Sequence, residues 1–153
     1  MICTRRRMVF CITLLVLNLA FIWGNSLLPG DVSRAFSQWV RSLLAFWTPG
    51  APGTPGGHGL LRKIAHFTEF SCLGALFCWL IAMLKKRPYF SLIYCVLAAC
   101  VDEFIQCFVP ERGPGIRDVL IDTAGAALGI GLVLLGHTLY KKKKQYLLEE
   151  NKQ

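Results

Sequence analysis

The sequence predicts an all-α integral membrane protein, a bundle of four transmembrane helices with an extracytoplasmic amphipathic helix in the first loop. Three observations predict it. Of the 153 residues, 54% are hydrophobic and only 17% charged, against about 25% charged in an ordinary water-soluble domain. The apolar residues gather into four runs, each near the roughly 20 residues that a helix needs to cross bilayer hydrocarbon. Short basic clusters flank those runs and account for the net charge of +8. They form no long basic face, so they read as orientation and anionic-lipid signals, and no nucleic-acid partner is expected. The four crossings leave no room for a separate soluble catalytic domain.

The first span covers about residues 8–28, after Arg5, Arg6 and Arg7. Its apolar core is too long for a secretory signal and no Ala-x-Ala-like site follows, so an uncleaved helix is expected. The amphipathic helix covers about 31–47. Asp31 can cap it, and Val32, Phe36, Trp39, Val40, Leu43, Leu44 and Trp47 make one apolar stripe opposite Ser33, Arg34, Ser37, Gln38 and Arg41. Such a stripe suits a helix lying on the membrane surface or one packed on the other helices. Residues 48–59, rich in Pro and Gly, read as a flexible loop in which His58 is merely solvated.

The second span covers about 64–84, the third 89–109 and the fourth 116–140, followed by a basic tail over 141–153. With both termini in the cytoplasm, eleven of the 17 bases lie inside: Arg5 to Arg7, Lys85 to Arg87, Lys141 to Lys144 and Lys152. Arg34, Arg41, Arg62, Lys63, Arg112 and Arg117 then lie outside, and the positive-inside rule favours this orientation. Six of the seven cysteines fall inside apolar runs and read as packing residues. Cys3, beside the arginines, could carry an acyl chain.

Ionisable groups within spans cost on the order of 3 kcal/mol each, so each requires a reason. His66 and Glu69 lie on the second helix, Asp102, Glu103 and Gln106 on the third, Asp118 and Asp122 on the fourth. In the orientation above, all seven lie within roughly 10 Å of the outer surface at 1.5 Å per residue. The cytoplasmic halves, Leu73 to Leu84, Tyr89 to Ala99 and Ala124 to Leu135, carry no charge. Three helices therefore direct acids to one place in one leaflet, with Arg62, Lys63, Arg112 and Arg117 as available counter-charges. Helix locking by buried ion pairs is the structural alternative to a site. Gly125-x-x-x-Gly129, on the stripe that bears Asp118 and Asp122, permits close helix approach.

These residues carry a resemblance. Arg62-Lys63-Ile64-Ala65-His66-Phe67-Thr68-Glu69-Phe70, Leu73-Gly74, Asp102-Glu103-Phe104-Ile105-Gln106, Pro110-Glu111-Arg112-Gly113, Asp118 to Asp122 and Gly125 to Gly129 together resemble the VanZ-like family, in order and spacing over Arg62 to Gly129. Three positions depart from it. Glu111 stands where a glycine before the arginine is usual, Gly115 lies near a usual Ser or Thr, and Asp122 stands where Asn is frequent. The resemblance implies a small multi-helix protein of the bacterial cytoplasmic membrane, with a family link to teicoplanin-type lipoglycopeptide resistance and no securely established reaction.

Two functions remain open, an enzyme and a non-enzymatic binder. An enzyme acting on a lipid headgroup or lipid-linked cell-envelope substrate would use His66 as acid or base, with Glu69, Asp102 and Glu103 as its partners or as ligands of a divalent cation. Lys63, Gln106, Arg112, Asp118 and Asp122 would bind substrate, Arg112 taking a phosphate. A binder would hold a headgroup, or an antibiotic's lipid tail, in the same pocket and alter envelope access without bond chemistry. Partners are thus membrane lipids, lipid-linked precursors or lipoglycopeptides. Cofactors are not identified and no metal site is assigned, since His66-x-x-Glu69 is half a site without His-Glu-x-x-His. Proton-coupled transport is disfavoured by the uncharged inner halves. No phosphate-binding loop, nucleotide fingerprint or Ser-His-Asp order is present. His137, beside the terminal lysines, reads as interfacial.

Overall fold

The computed structural model describes residues 2–47, 57–113 and 115–150. Over these the chain forms five helices: α1 (Ile2–Ser26), α2 (Gly30–Trp47), α3 (Gly57–Met83), α4 (Tyr89–Gln106) and α5 (Ile116–Glu150). All but α2 are long and apolar enough to cross a membrane. Large apolar side chains such as Val16, Leu17, Phe21, Leu97, Phe104 and Leu132 are exposed, which in a bundle of this composition is the surface that meets lipid. The interior is built instead from small or well-fitted residues: Cys11, Leu15 and Ile22 of α1, Phe70 and Leu73 of α3, Cys95, Ala98 and Ala99 of α4, and Ala126 of α5.

Close approach of α3 and α5 organises the bundle. A Cβ placed on Gly125 would overlap the Phe67 carbonyl, and one on Gly129 the Ser71 carbonyl. In return, a Cβ on Gly74 would overlap the Ala126 carbonyl. The glycines thus interlock from both helices, because lipid supplies no hydrophobic drive and packing must supply the attraction. α1 joins through the Trp23 indole N–H, which donates to the Ala98 carbonyl at 3.4 Å.

The element ends differ from the sequence-predicted ones for local reasons. The first span stops at Ser26, ahead of Pro29, and the third at Gln106, where Cys107, Phe108 and Val109 form tight turns before Pro110. Gly57 to Gly59, expected in the flexible loop, belong to α3; residues 48–56 lie outside the described residues. The predicted tail is helical as far as Glu150, since Lys, Gln, Leu and Glu are good helix formers and no Gly or Pro interrupts them after Gly136. At 1.5 Å per residue α5 is roughly 52 Å long, well beyond a hydrocarbon core of about 30 Å.

The buried cysteines are Cys11, Cys78 and Cys95, while Cys72, Cys100 and Cys107 are exposed, all with free thiols. The side chain of Cys3 lies outside the described residues. On α2, Val32, Phe36 and Trp39 are exposed and Ser37 is buried; the side chains of Leu43, Leu44 and Trp47 lie outside the described residues.

Candidate functional site

At one end of the bundle the α1–α2 turn is tied to the α4–α5 turn. Arg112 donates from Nη2 to the Asn25 carbonyl at 2.7 Å and from Nε to the Leu28 carbonyl at 3.2 Å. These carbonyls lie at and just beyond the end of α1, where acceptors lack a full set of i→i+4 partners; the Asn25 carbonyl also accepts the Leu28 N–H at 3.3 Å. The Gly30 N–H donates to the Pro110 carbonyl at 3.2 Å, and Arg34 of α2 pairs with Glu111. Burial holds the Arg112 guanidinium below its ordinary pKa; the nearby Arg62 acts in the same direction, whereas Asp102 and Glu103 oppose it. It remains a cation at neutral pH.

Beneath this clasp the polar side chains of three spans converge. Asp102, Glu103, Gln106 and Asp122 are buried. The Gln106 amide donates to Asp102 Oδ2 at 2.8 Å and to the Ser26 hydroxyl at 3.3 Å, while His66 Nδ1 lies 3.8 Å from the same Asp102 oxygen. Arg62 and Lys63, successive residues of α3, both face Asp118 of α5, at 3.9 and 3.7 Å. Glu103 accepts the Gly115 N–H at 2.7 Å, which fixes the start of α5 against α4.

Two hollows meet at this cluster. The smaller has a free volume of about 10 Å³, the room of one water molecule or ion. Arg62, Lys63, His66, Glu103, Asp118 and Asp122 are among its walls. The larger, about 340 Å³, runs between α1, α2 and α3. Phe21, Leu28, Phe36, Val40 and Leu61 make it apolar, and Arg62, His66, Glu69 and Arg112 lie along its polar part. Arg62 and His66 belong to both.

The sequence matches the VanZ/LLP1 family over residues 8–137. The chain belongs to the VanZ/LLP1 family. No curated protein and no solved structure matches it. Within this VanZ/LLP1 chain, seven of the nine sequence-predicted site residues are joined by hydrogen bonds, ion pairs or the smaller hollow: Lys63, His66, Asp102, Glu103, Gln106, Asp118 and Asp122. Glu69 and Arg112 stand beside this cluster on the wall of the larger hollow, linked through Asn25, whose side-chain amide donates to Glu69 at 3.3 Å and whose carbonyl accepts from Arg112.

Asn25 and Ser26 are the partners that sequence reading missed. Both interrupt the apolar first span at the depth of the other polar groups, and that shared depth was the available signal. Glu111 has a backbone φ of 59°, the left-handed region that favours glycine, which explains why glycine is usual there. Here the side chain compensates by pairing with Arg34.

Proposed function

We propose that this VanZ/LLP1 protein works at the outer face of a bacterial cytoplasmic membrane, with both termini in the cytoplasm, on the headgroup of an envelope lipid or lipid-linked precursor. The observation that carries this reading is the pair of hollows joined at Arg62 and His66, one apolar and large enough for part of an acyl or prenyl chain, the other small and charged. An amphiphile entering from the leaflet would leave its chain among Phe21, Phe36 and Val40 and present its headgroup to Arg62, His66 and Arg112. Arg112 and Lys63 suit a phosphate. His66, with Asp102 behind it, is the group for proton transfer, and Glu69 and Glu103 flank it on its two sides.

The test is turnover of lipid-linked substrates by the purified protein in nanodiscs, read by mass spectrometry, beside Glu103→Gln and His66→Gln. Catalysis predicts that each variant loses turnover by at least about 100-fold. Binding without bond chemistry is the second reading, favoured by the far greater size of the apolar hollow. It predicts no turnover, retained lipid binding, and little effect of Glu103→Gln. The family link to lipoglycopeptide resistance fits either reading, since both alter what an antibiotic meets at the outer leaflet.

A further inference from the structure

Among the described residues, two buried acids near His66 have no Lys or Arg within ion-pair distance. Asp102 and Asp122 are 0% and 1% exposed. Arg62 and Lys63 face Asp118, and Arg112 is directed at carbonyls of the α1–α2 turn. Among the described residues no Lys or Arg lies within ion-pair distance of Asp122. Both carboxylate oxygens of Asp122, Oδ1 of Asp102 and Nδ1 of His66 are buried without a hydrogen-bond partner. An ionised carboxylate left so costs several kcal/mol.

The unpartnered atoms are also close together. His66, Asp102 and Asp122, one from each of α3, α4 and α5, offer ligand atoms that all lie within 4.8 Å of one another. The hollow beside them, walled by His66 and Asp122, has the volume of one ion. We propose that these three side chains bind a divalent cation of the manganese or zinc class. A water molecule could donate to two of the oxygens but brings no charge; a divalent cation satisfies the oxygens and supplies the counter-charge that ionised carboxylates would need. One imidazole nitrogen with two carboxylates selects Mn²⁺ or Zn²⁺ over Mg²⁺ and Ca²⁺, which prefer oxygen throughout.

The surroundings support ligation. The Gln106 amide, itself held by Ser26, fixes Asp102 through Oδ2 and leaves Oδ1 for an ion, the arrangement by which outer partners orient metal ligands. Ligands about 2.1 Å from a tetrahedral ion lie about 3.5 Å apart, so the three side chains need draw in by only about 1 Å. Coordination positions not taken by protein would open toward Arg62, Lys63 and Glu103. The proposal deepens the headgroup reading and rests on it only for the ion's use: in the loaded protein His66 is a ligand, and proton transfer passes to Glu103, which lines the same hollow.

The experiment titrates Mn²⁺ into the full-length protein in detergent micelles, with free Mn²⁺ read by its paramagnetic resonance signal and no lipid substrate present. Mn²⁺ is hard enough that the thiols of Cys72, Cys100 and Cys107 do not compete for it. The expected result is about one ion per chain, displaced by Zn²⁺, with Asp102→Asn and Asp122→Asn each weakening binding at least tenfold and the exposed Glu149→Gln leaving it unchanged. Asp122→Asn keeps the shape of a buried carboxyl that has no hydrogen-bond partner to lose, so the unloaded variant is expected to melt no lower than the unloaded parent, which separates lost ligation from lost folding. The proposal is overturned if the parent binds no more Mn²⁺ than Asp122→Asn, or if both variants keep the parent's affinity. Since lipid is absent, Mn²⁺ binding beside an absence of both lipid binding and turnover in the nanodisc assay counts only against the headgroup reading, and turnover without Mn²⁺ binding only against the ion.

Discussion

Replacing Gly129 with alanine should loosen the bundle by an amount that the structure allows to be estimated. The added methyl would overlap the Ser71 carbonyl and crowd the Ala75 backbone nitrogen of α3. Both are backbone atoms of a helix, so no side chain can swing away, and α3 and α5 must separate. Overpacking of this kind costs about 1–3 kcal/mol. Alanine's better helix propensity returns up to about 1 kcal/mol. The net expectation is a loss of roughly 1–2 kcal/mol, measured by equilibrium unfolding in mixed micelles. Two glycines of the same helix are internal controls, because a Cβ at Gly131 or Gly136 meets nothing within 4 Å. Gly131→Ala and Gly136→Ala should be neutral or stabilising by up to about 1 kcal/mol. If Gly129→Ala is as stable as Gly131→Ala, the interlocking of α3 and α5 is not what holds the bundle. The same separation would draw His66 of α3 away from Asp122 of α5, so Gly129→Ala should also weaken whatever binds between them.

Three further outcomes follow from other contacts. Arg112→Gln, which leaves the Asn25 and Leu28 carbonyls without a charged donor, should lower unfolding stability by about 1–3 kcal/mol, read in the same micellar assay. Glu111→Gly relieves a left-handed backbone, worth about 1–2 kcal/mol, and gives up an exposed pair with Arg34 worth at most about 1 kcal/mol. Its stability should therefore match or slightly exceed the parent's, whereas Glu111→Val should fall below it; a stabilised Glu111→Val would refute the backbone argument. For orientation, single cysteines at Asp31 and Lys86 in a background lacking the native thiols report on opposite ends of the bundle. A membrane-impermeant maleimide applied to intact cells should label Asp31→Cys and spare Lys86→Cys, and the reverse pattern would invert the proposed topology.

The four spans were legible because a bilayer imposes a length and a composition that local sequence must satisfy. The convergence of acids was legible for a related reason: His66, Glu69, Asp102, Glu103, Asp118 and Asp122 are costly where they stand, and alternating crossings give each a depth. Helix limits were less readable: Gly57 to Gly59 adopt helix on the strength of neighbouring residues, and Lys141 to Glu150, marked by charge as a tail, adopt it on their own propensity. The role of Asn25 and Ser26 was hidden because a polar pair near the end of a span looks like its boundary.

Sequence alone determined the membrane habit, the four helices able to cross, the family resemblance and the position of each polar residue along its helix, all properties that depend on local composition and on distance along a helix. Only the tertiary structure decided which polar atoms meet. Rotation of each helix about its axis, set by Gly74, Gly125 and Gly129 locking α3 to α5, leaves Asp118 facing two bases and Asp122 facing none. Two aspartates one helical turn apart thereby acquire different surroundings, and no periodicity in the sequence distinguishes them.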